Sequence, residues 1–413
     1  MSASAVKAAR TVRTPAWRPA ALFAALALLV AGCGGGAEPA GGDAAAAPIK
    51  IGVATGTSGI LASYGEMFIE GFKAGLDYAT DGTGVVAGHP LEVTYHDTAT
   101  DAAQATSVVT DLIGKGYKII TGTLSSGVAL QIAPLAAQNQ ILYVSGPAAT
   151  DKITGVNRYT FRSGRQTYQD VLTAAAFLGD IRGKKVAVFA QDYAFGQANV
   201  AAVQQVMGEQ GGATVVPILA PLKSNDFIPF AAQIKQVNPD LLFVAWAGDT
   251  SAAMWETLEQ QGITQATTVV TGLPDRASWE TSFGQAFTGI EFLAHYFAEA
   301  PQNEVNAALK QRLPDAEVPD IFHPDGFVAA QMIVHAIQEA GGADVEAMIP
   351  ALEGWTFPAP KGEQTIRAED HAMLQPMFQA KLVGEGATVQ PQLTATLPPD
   401  KVAPPVTPFP SGS

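Results

Sequence analysis

Ile49-Lys50-Ile51-Gly52-Val53-Ala54 and, further along, Lys185-Val186-Ala187-Val188-Phe189-Ala190 are the two stretches on which the fold turns. Each is a short, β-rich, almost unbroken apolar run, as expected of a strand buried on both faces of a parallel sheet. Outward from the first, apolar residues at helical spacing over 63–79 lead to an alternating strand at 91–95. A helix over 101–113 follows, with Thr100 or Asp101 as its N-cap, then a strand at 118–121, a helix at 127–137 and a strand at 141–144. From the second stretch the pattern restarts: helices at 197–210, 228–237 and 251–261 alternate with strands at 214–219, 241–245 and 267–271. Strands alternating with helices build parallel sheets covered on both faces. The expected fold class is therefore α/β, two doubly wound parallel-sheet lobes joined near 159–166. A β segment near 289–296, helices at 303–313, 326–340 and 345–352, and a strand at 377–383 complete the pattern. The seven prolines between Gln390 and Pro410 predict an extended, poorly ordered tail.

The chain has 413 residues, enough for two or three domain-sized units, and only 15% are charged against roughly 25% in an average soluble protein. Lys and Arg number 24 and Asp and Glu 38, for a formal charge of −14. That balance argues against nucleic-acid binding, which needs cations to neutralise phosphates. A single cysteine, Cys33, excludes an intrachain disulfide, a Cys-rich zinc site, an iron–sulfur cluster and a CxxC redox motif.

Residues 1–33 read as an export signal. Lys7, Arg10, Arg13 and Arg18 form a basic start, residues 19–31 an apolar core, and Leu29-Val30-Ala31-Gly32-Cys33 a small-residue close. This resembles the lipobox of bacterial lipoprotein signal peptides, which implies cleavage after residue 32 and lipidation of Cys33. The tether 33–47 is rich in Gly and Ala and is expected to be flexible.

Several motifs are decoys. Gly179-Asp180-Ile181-Arg182-Gly183-Lys184-Lys185 is one residue short of a phosphate loop and precedes a strand instead of following one. Gly52, Gly56 and Gly59 have GxxxGxxG spacing, not the dinucleotide GxGxxG. The six histidines show no metal-ligand spacing and no GxSxG elbow occurs, so neither a metal, a cofactor nor a catalytic constellation is expected.

Ligands of doubly wound sheets sit at the carboxyl ends of the strands. The loops there are Thr123-Leu124-Ser125-Ser126-Gly127, Ser145-Gly146-Pro147-Ala148-Ala149-Thr150, Gln191-Asp192-Tyr193-Ala194-Phe195-Gly196 and Trp246-Ala247-Gly248-Asp249. With the opening Ile49-Lys50-Ile51-Gly52-Val53 and Ser63-Tyr64-Gly65-Glu66, their order resembles type I periplasmic substrate-binding proteins of the leucine/isoleucine/valine-binding family, receptors of ABC importers. The resemblance covers about 48–385. It implies an N-terminal lobe from 48–161 plus 293–374, a C-terminal lobe from 162–292 plus 375–388, a tail from 389–413, and a hinge of three crossings at 159–166, 292–296 and 374–377.

It also implies roles. Ser125, Ser126, Ala149 and Thr150 would supply hydroxyl and backbone donors to a ligand carboxylate, and the Ala148 carbonyl would accept from a ligand ammonium. Tyr64 would wall the first lobe, while Tyr193, Phe195 and Trp246 would close from the second. The family's acid for the ammonium falls on Pro274 or, one residue on, Asp275; its aromatic after the 241–245 strand falls on Asp249. Asp275 or Asp249 would then pair the ammonium, or the ligand is an amide, a urea-like compound or an aromatic acid stacking on Trp246. The expected function is capture of a small polar molecule by lobe closure, without bond chemistry, and delivery to membrane permease subunits. The alternative on the same fold is a ligand-sensing regulator.

Overall fold

The computed structural model describes residues 46–281, 290–314, 317–384 and 388–410. The export signal, Cys33 and the tether to residue 45 lie outside the described residues. The chain runs through β1 (Ile49–Thr55), α1 (Ala62–Ala79), β2 (Val85–Val86), β3 (His89–Asp97), α2 (Ala102–Gly114), β4 (Ile119–Thr121), α3 (Ser126–Asn139), β5 (Leu142–Ser145) and β6 (Thr160–Arg162). These strands form one sheet in the order β2-β3-β1-β4-β5-β6, parallel except for the β2–β3 hairpin. As the sequence predicts, Asp101 caps α2, its carboxylate accepting from the Gln104 amide at 2.8 Å.

The chain then crosses into a second unit: α4 (Thr167–Ala175), β7 (Lys185–Asp192), α5 (Ala194–Val203), which runs into a π-helical turn over Gln204–Gln210, β8 (Thr214–Pro221), α6 (Ile228–Val237), β9 (Leu241–Ala245), α7 (Ser251–Gln260), α8 (Ile263–Ala266), β10 (Thr268–Gly272), α9 (Arg276–Thr281) and β11 (Glu291–Ala294). Its parallel strands lie in the order β8-β7-β9-β10-β11, the same winding as β3-β1-β4-β5-β6 in the first sheet. Consecutive residues of these strands serve opposite faces. Ala187, Phe189, Leu242 and Val244 join one apolar core, and Val186, Val188, Phe243 and Ala245 the other. This is why the strands read as unbroken apolar runs.

The chain returns through α10 (Glu304–Arg312), α11 (His323–Ala340), α12 (Val345–Leu352) and a small sheet of β12 (Thr356–Ala359), β13 (Gly362–Ile366) and β14 (Met373–Leu374). Phe357, Ile366 and Met373 of that sheet pack into the first lobe's core. Helices α1 and α11 touch backbone to backbone. An added Cβ at Gly71 would overlap the His323 carbonyl, and one at Gly326 the Phe68 carbonyl. A third crossing leads to β15 (Met377–Val383) and β16 (Gln390–Leu397), antiparallel strands on the second sheet beside β11.

The proline-rich end departs from expectation: it is ordered secondary structure and a docked strap. β16 is an edge strand, where proline is tolerated because the edge needs no donor. Val402 is fully buried. The chain then docks on the first lobe: Arg367 Nη1 donates to the Pro404 carbonyl at 2.8 Å and the Thr407 amide to Asp370 Oδ2 at 3.0 Å. Phe409 lies edge-on to His371, which stacks on Phe161 at 3.7 Å.

Candidate ligand-binding site

In each sheet the winding reverses direction beside its first strand, and the carboxyl ends of the strands there are the expected ligand position. A cavity of about 110 Å³ lies there between the lobes. The first lobe contributes Tyr64, Ser126 and Ala149; the second contributes Tyr193, Phe195 and Trp246. The approach of the lobes depends on Gly248. Its φ of +81° is a left-handed conformation, and a Cβ there would strike the Ile60 carbonyl across the interface. Tyr64 bridges the lobes too, its hydroxyl 3.5 Å from Asp275 Oδ2. Burial, then the Asp275 charge, pushes that phenol's pKa up.

Ser126 opens α3, whose N-cap, Ser125, makes no side-chain cap bond. The Ser126 hydroxyl oxygen accepts from the Thr150 amide at 3.2 Å, which leaves its O–H to donate into the cavity. With the unpaired first-turn amides and the positive end of the helix dipole, this corner suits a carboxylate. Trp246 serves two ends. It packs on Phe189 at 5.0 Å and Phe227 at 5.2 Å, and its indole N–H donates to Thr250 at 3.0 Å, while its ring lines the cavity.

Other expected site residues fall elsewhere. Ser125 and Thr150 do not line the cavity; the Thr150 hydroxyl oxygen caps the short turn over Asp151–Ile153. Ala148 does not line the cavity either, and its carbonyl already accepts from buried Arg162 at 2.6 Å. Asp249 is exposed and outside the lining. Asp275 stands at the edge, but its carboxylate is taken up by the Ser278 amide at 3.0 Å and hydroxyl at 2.8 Å, an N-terminal cap for α9.

The cavity wall also holds polar residues that the sequence did not point to: Arg165, Asp170 and His295, which can carry charge, and Asn199, Ser251 and Thr271. Arg165 and Asp170 flank the start of α4 and form a buried ion pair at 3.3 Å, with Arg165 Nη1 donating to the Pro147 carbonyl at 2.8 Å. Burial pushes the Asp170 pKa up against the pull of Arg165. Beside them Lys361 and Asp325 pair at 2.6 Å, both side chains wholly buried, and Lys361 also donates to Gln375 at 2.8 Å. The only local signal was the density of charge in Arg162, Arg165 and Asp170 beside a crossing.

Paired doubly wound lobes, linked by three crossings and holding a small aromatic-walled cavity between their strand ends, define a two-lobe solute-binding protein. The family model described as "Periplasmic binding protein" matches residues 48–387, and the chain belongs to that family. It is similar to the Leu/Ile/Val-binding protein homolog 6 of Brucella melitensis, 26% identical over 344 residues that cover 80% of this chain and 86% of that protein. Among solved structures it is similar to an ABC-type branched-chain amino acid transporter protein of Rhodopseudomonas palustris, 30% identical with a TM-score of 0.72, covering 87% of this chain and 99% of that one. A solute-binding protein of R. palustris in complex with 4-hydroxybenzoate shares the fold at a TM-score of 0.78 and 23% identity, covering 85% and 97%. The chain is thus a solute-binding receptor of the ABC-importer class, whose members serve membrane permease subunits. Among the described residues no helix is long and apolar enough to cross a membrane.

Proposed function

We propose that this receptor is exported, held at the membrane by a lipid on Cys33, and captures a small carboxylic acid, aromatic or branched aliphatic, in preference to an α-amino acid. The observation that carries the reading is the charge inventory of the cavity wall. Among the described residues its one carboxylate, Asp170, is paired with Arg165. Asp275, which caps α9, Asp249 and the Ala148 carbonyl, which accepts from Arg162, all lie outside the lining. A ligand ammonium would be buried without a partner, which is costly. A carboxylate finds the Ser126 hydroxyl and the first turn of α3, and beside them an Arg165 guanidinium that has more donors than its bonds to Asp170 and Pro147 use. The volume of about 110 Å³ is on the scale of the ~150 Å³ apolar cavity that takes up benzene, so one ring or a short branched chain fits.

The acid docks first on the first lobe at Ser126. The second lobe then swings in with Tyr193, Phe195 and Trp246, closure being favoured only by contacts made in the closed state. Thermal-shift titration tests this, since a ligand raises stability by RT ln(1 + [L]/Kd). Benzoate, 4-hydroxybenzoate and 4-methylpentanoate are expected to raise the melting temperature and leucine is not; the reverse ranking ends the proposal. For the anchor, Cys33→Ser is expected to move the protein from the membrane to the soluble fraction. Unchanged fractionation would remove the lipid from the account.

A further inference from the structure

We propose that His295 is the acceptor that reads a hydroxyl group on the ligand, so that the pocket selects hydroxylated carboxylic acids over their unhydroxylated counterparts. The inference rests on the carboxylic-acid reading above and adds the second recognition point. His295 directly follows β11, at the second crossing. It is 7% exposed, lines the cavity, and stacks on Phe322 with 5.3 Å between ring centres. Its Nε2 is buried and has no hydrogen-bond partner among the described residues. Buried polar atoms are nearly always satisfied, and one left open on a ligand cavity wall is explained by a group that arrives with the ligand.

The surroundings fix what that group is. The charged side chains whose fields reach the ring are Arg165 and Lys361, both cations. Arg165 is committed to Asp170 and Pro147, and Lys361 to Asp325 and Gln375. Burial first, then these two charges, pull the imidazole's pKa far down and keep it neutral. The ring's bond to the Ile321 backbone uses the other nitrogen, so Nε2 presents a lone pair. An ammonium would need a carboxylate, and the ones beside the ring are already paired with Arg165 and Lys361. A hydroxyl is a neutral donor and fits.

Calorimetric titration of the mature protein with two matched pairs tests the idea: 4-hydroxybenzoate against benzoate, and 2-hydroxy-4-methylpentanoate against 4-methylpentanoate. The hydroxylated member of at least one pair is expected to bind about tenfold tighter or more, because a site built for a hydroxyl is left unpaired by the analogue. His295→Phe, which removes the acceptor and keeps the stacking, is expected to bring that ratio near one by weakening only the hydroxylated acid. His295→Gln, which retains an acceptor, is expected to restore part of it. Acids that bind with no preference, or a preference that survives His295→Phe, overturn the inference and leave the carboxylic-acid reading standing; an ordered water on Nε2 is then the explanation. If no acid binds, both fall together. Should the Phe variant not fold, the ratio in the native protein decides alone.

Discussion

Arg165 is buried in the wall of the cavity, and its value comes from being held there. Its Nε donates to Asp170 Oδ1 at 3.3 Å, and the pair's side chains are 8% and 6% exposed. Removing one partner of a buried pair strands the other charge, at a cost of about 3–5 kcal/mol. Arg165→Leu is therefore expected to lower unfolding stability by about that amount and to abolish binding of benzoate. Adding Asp170→Asn should return part of the stability and none of the binding. Denaturant unfolding and calorimetry on the two variants check this; a leucine variant that binds benzoate at native affinity would contradict it. Periodicity located the strand-end loops that carry Ser126, Ala149, Tyr193, Phe195 and Trp246, and the family resemblance pointed to these residues and to Tyr64; all six line the cavity. Sequence pattern could not reach His295, whose meaning comes from Arg165 and Lys361, neither of them near it in the chain. Nor could it show that Ala148 and Asp275 lie outside the lining and are already engaged by hydrogen bonds.

At the scale of elements, the closest packing in the first lobe is α1 on α11. The glycines at 71, 75 and 326 remove the side chains that would hold the helices apart. Gly71→Ala forces the backbones to separate or distort, and overpacking of this kind costs about 1–3 kcal/mol. The expected result is a lower melting temperature with the ligand's enthalpy of binding little changed; a variant as stable as the native chain would show that the helices part freely. Periodicity located both helices, but it cannot say that segments so far apart in sequence are partners. The β16 strand shows the converse failure. Gln390-Pro391-Gln392-Leu393-Thr394-Ala395-Thr396-Leu397 alternates polar with apolar residues, a strand signal that its prolines and position near the end obscured. Proline excluded a central strand and left an edge strand allowed.

For the whole molecule, the repeated winding of the two sheets makes each lobe a stable body, and the loops at their strand ends supply the specificity. The segment after β16 adds a link that lies beyond the 48–387 match to the family. It leaves the second lobe's sheet and fastens to the first lobe beside Gly155, Arg367 and Asp370, where the Arg367–Asp370 pair is 2.6 Å apart. Truncation after Leu397 is expected to lower the melting temperature of the first lobe and enlarge the ligand-free radius of gyration measured by small-angle scattering. Unchanged values for both would make the segment mere decoration.

That link has a mechanical meaning. A bend carried only by neighbouring threads can gape as far as those threads twist; a further thread laid across its flank acts as a check-strap and shortens the arc. A receptor so restrained is expected to open over a narrower arc, giving up some reach for a smaller entropic loss at the moment of capture.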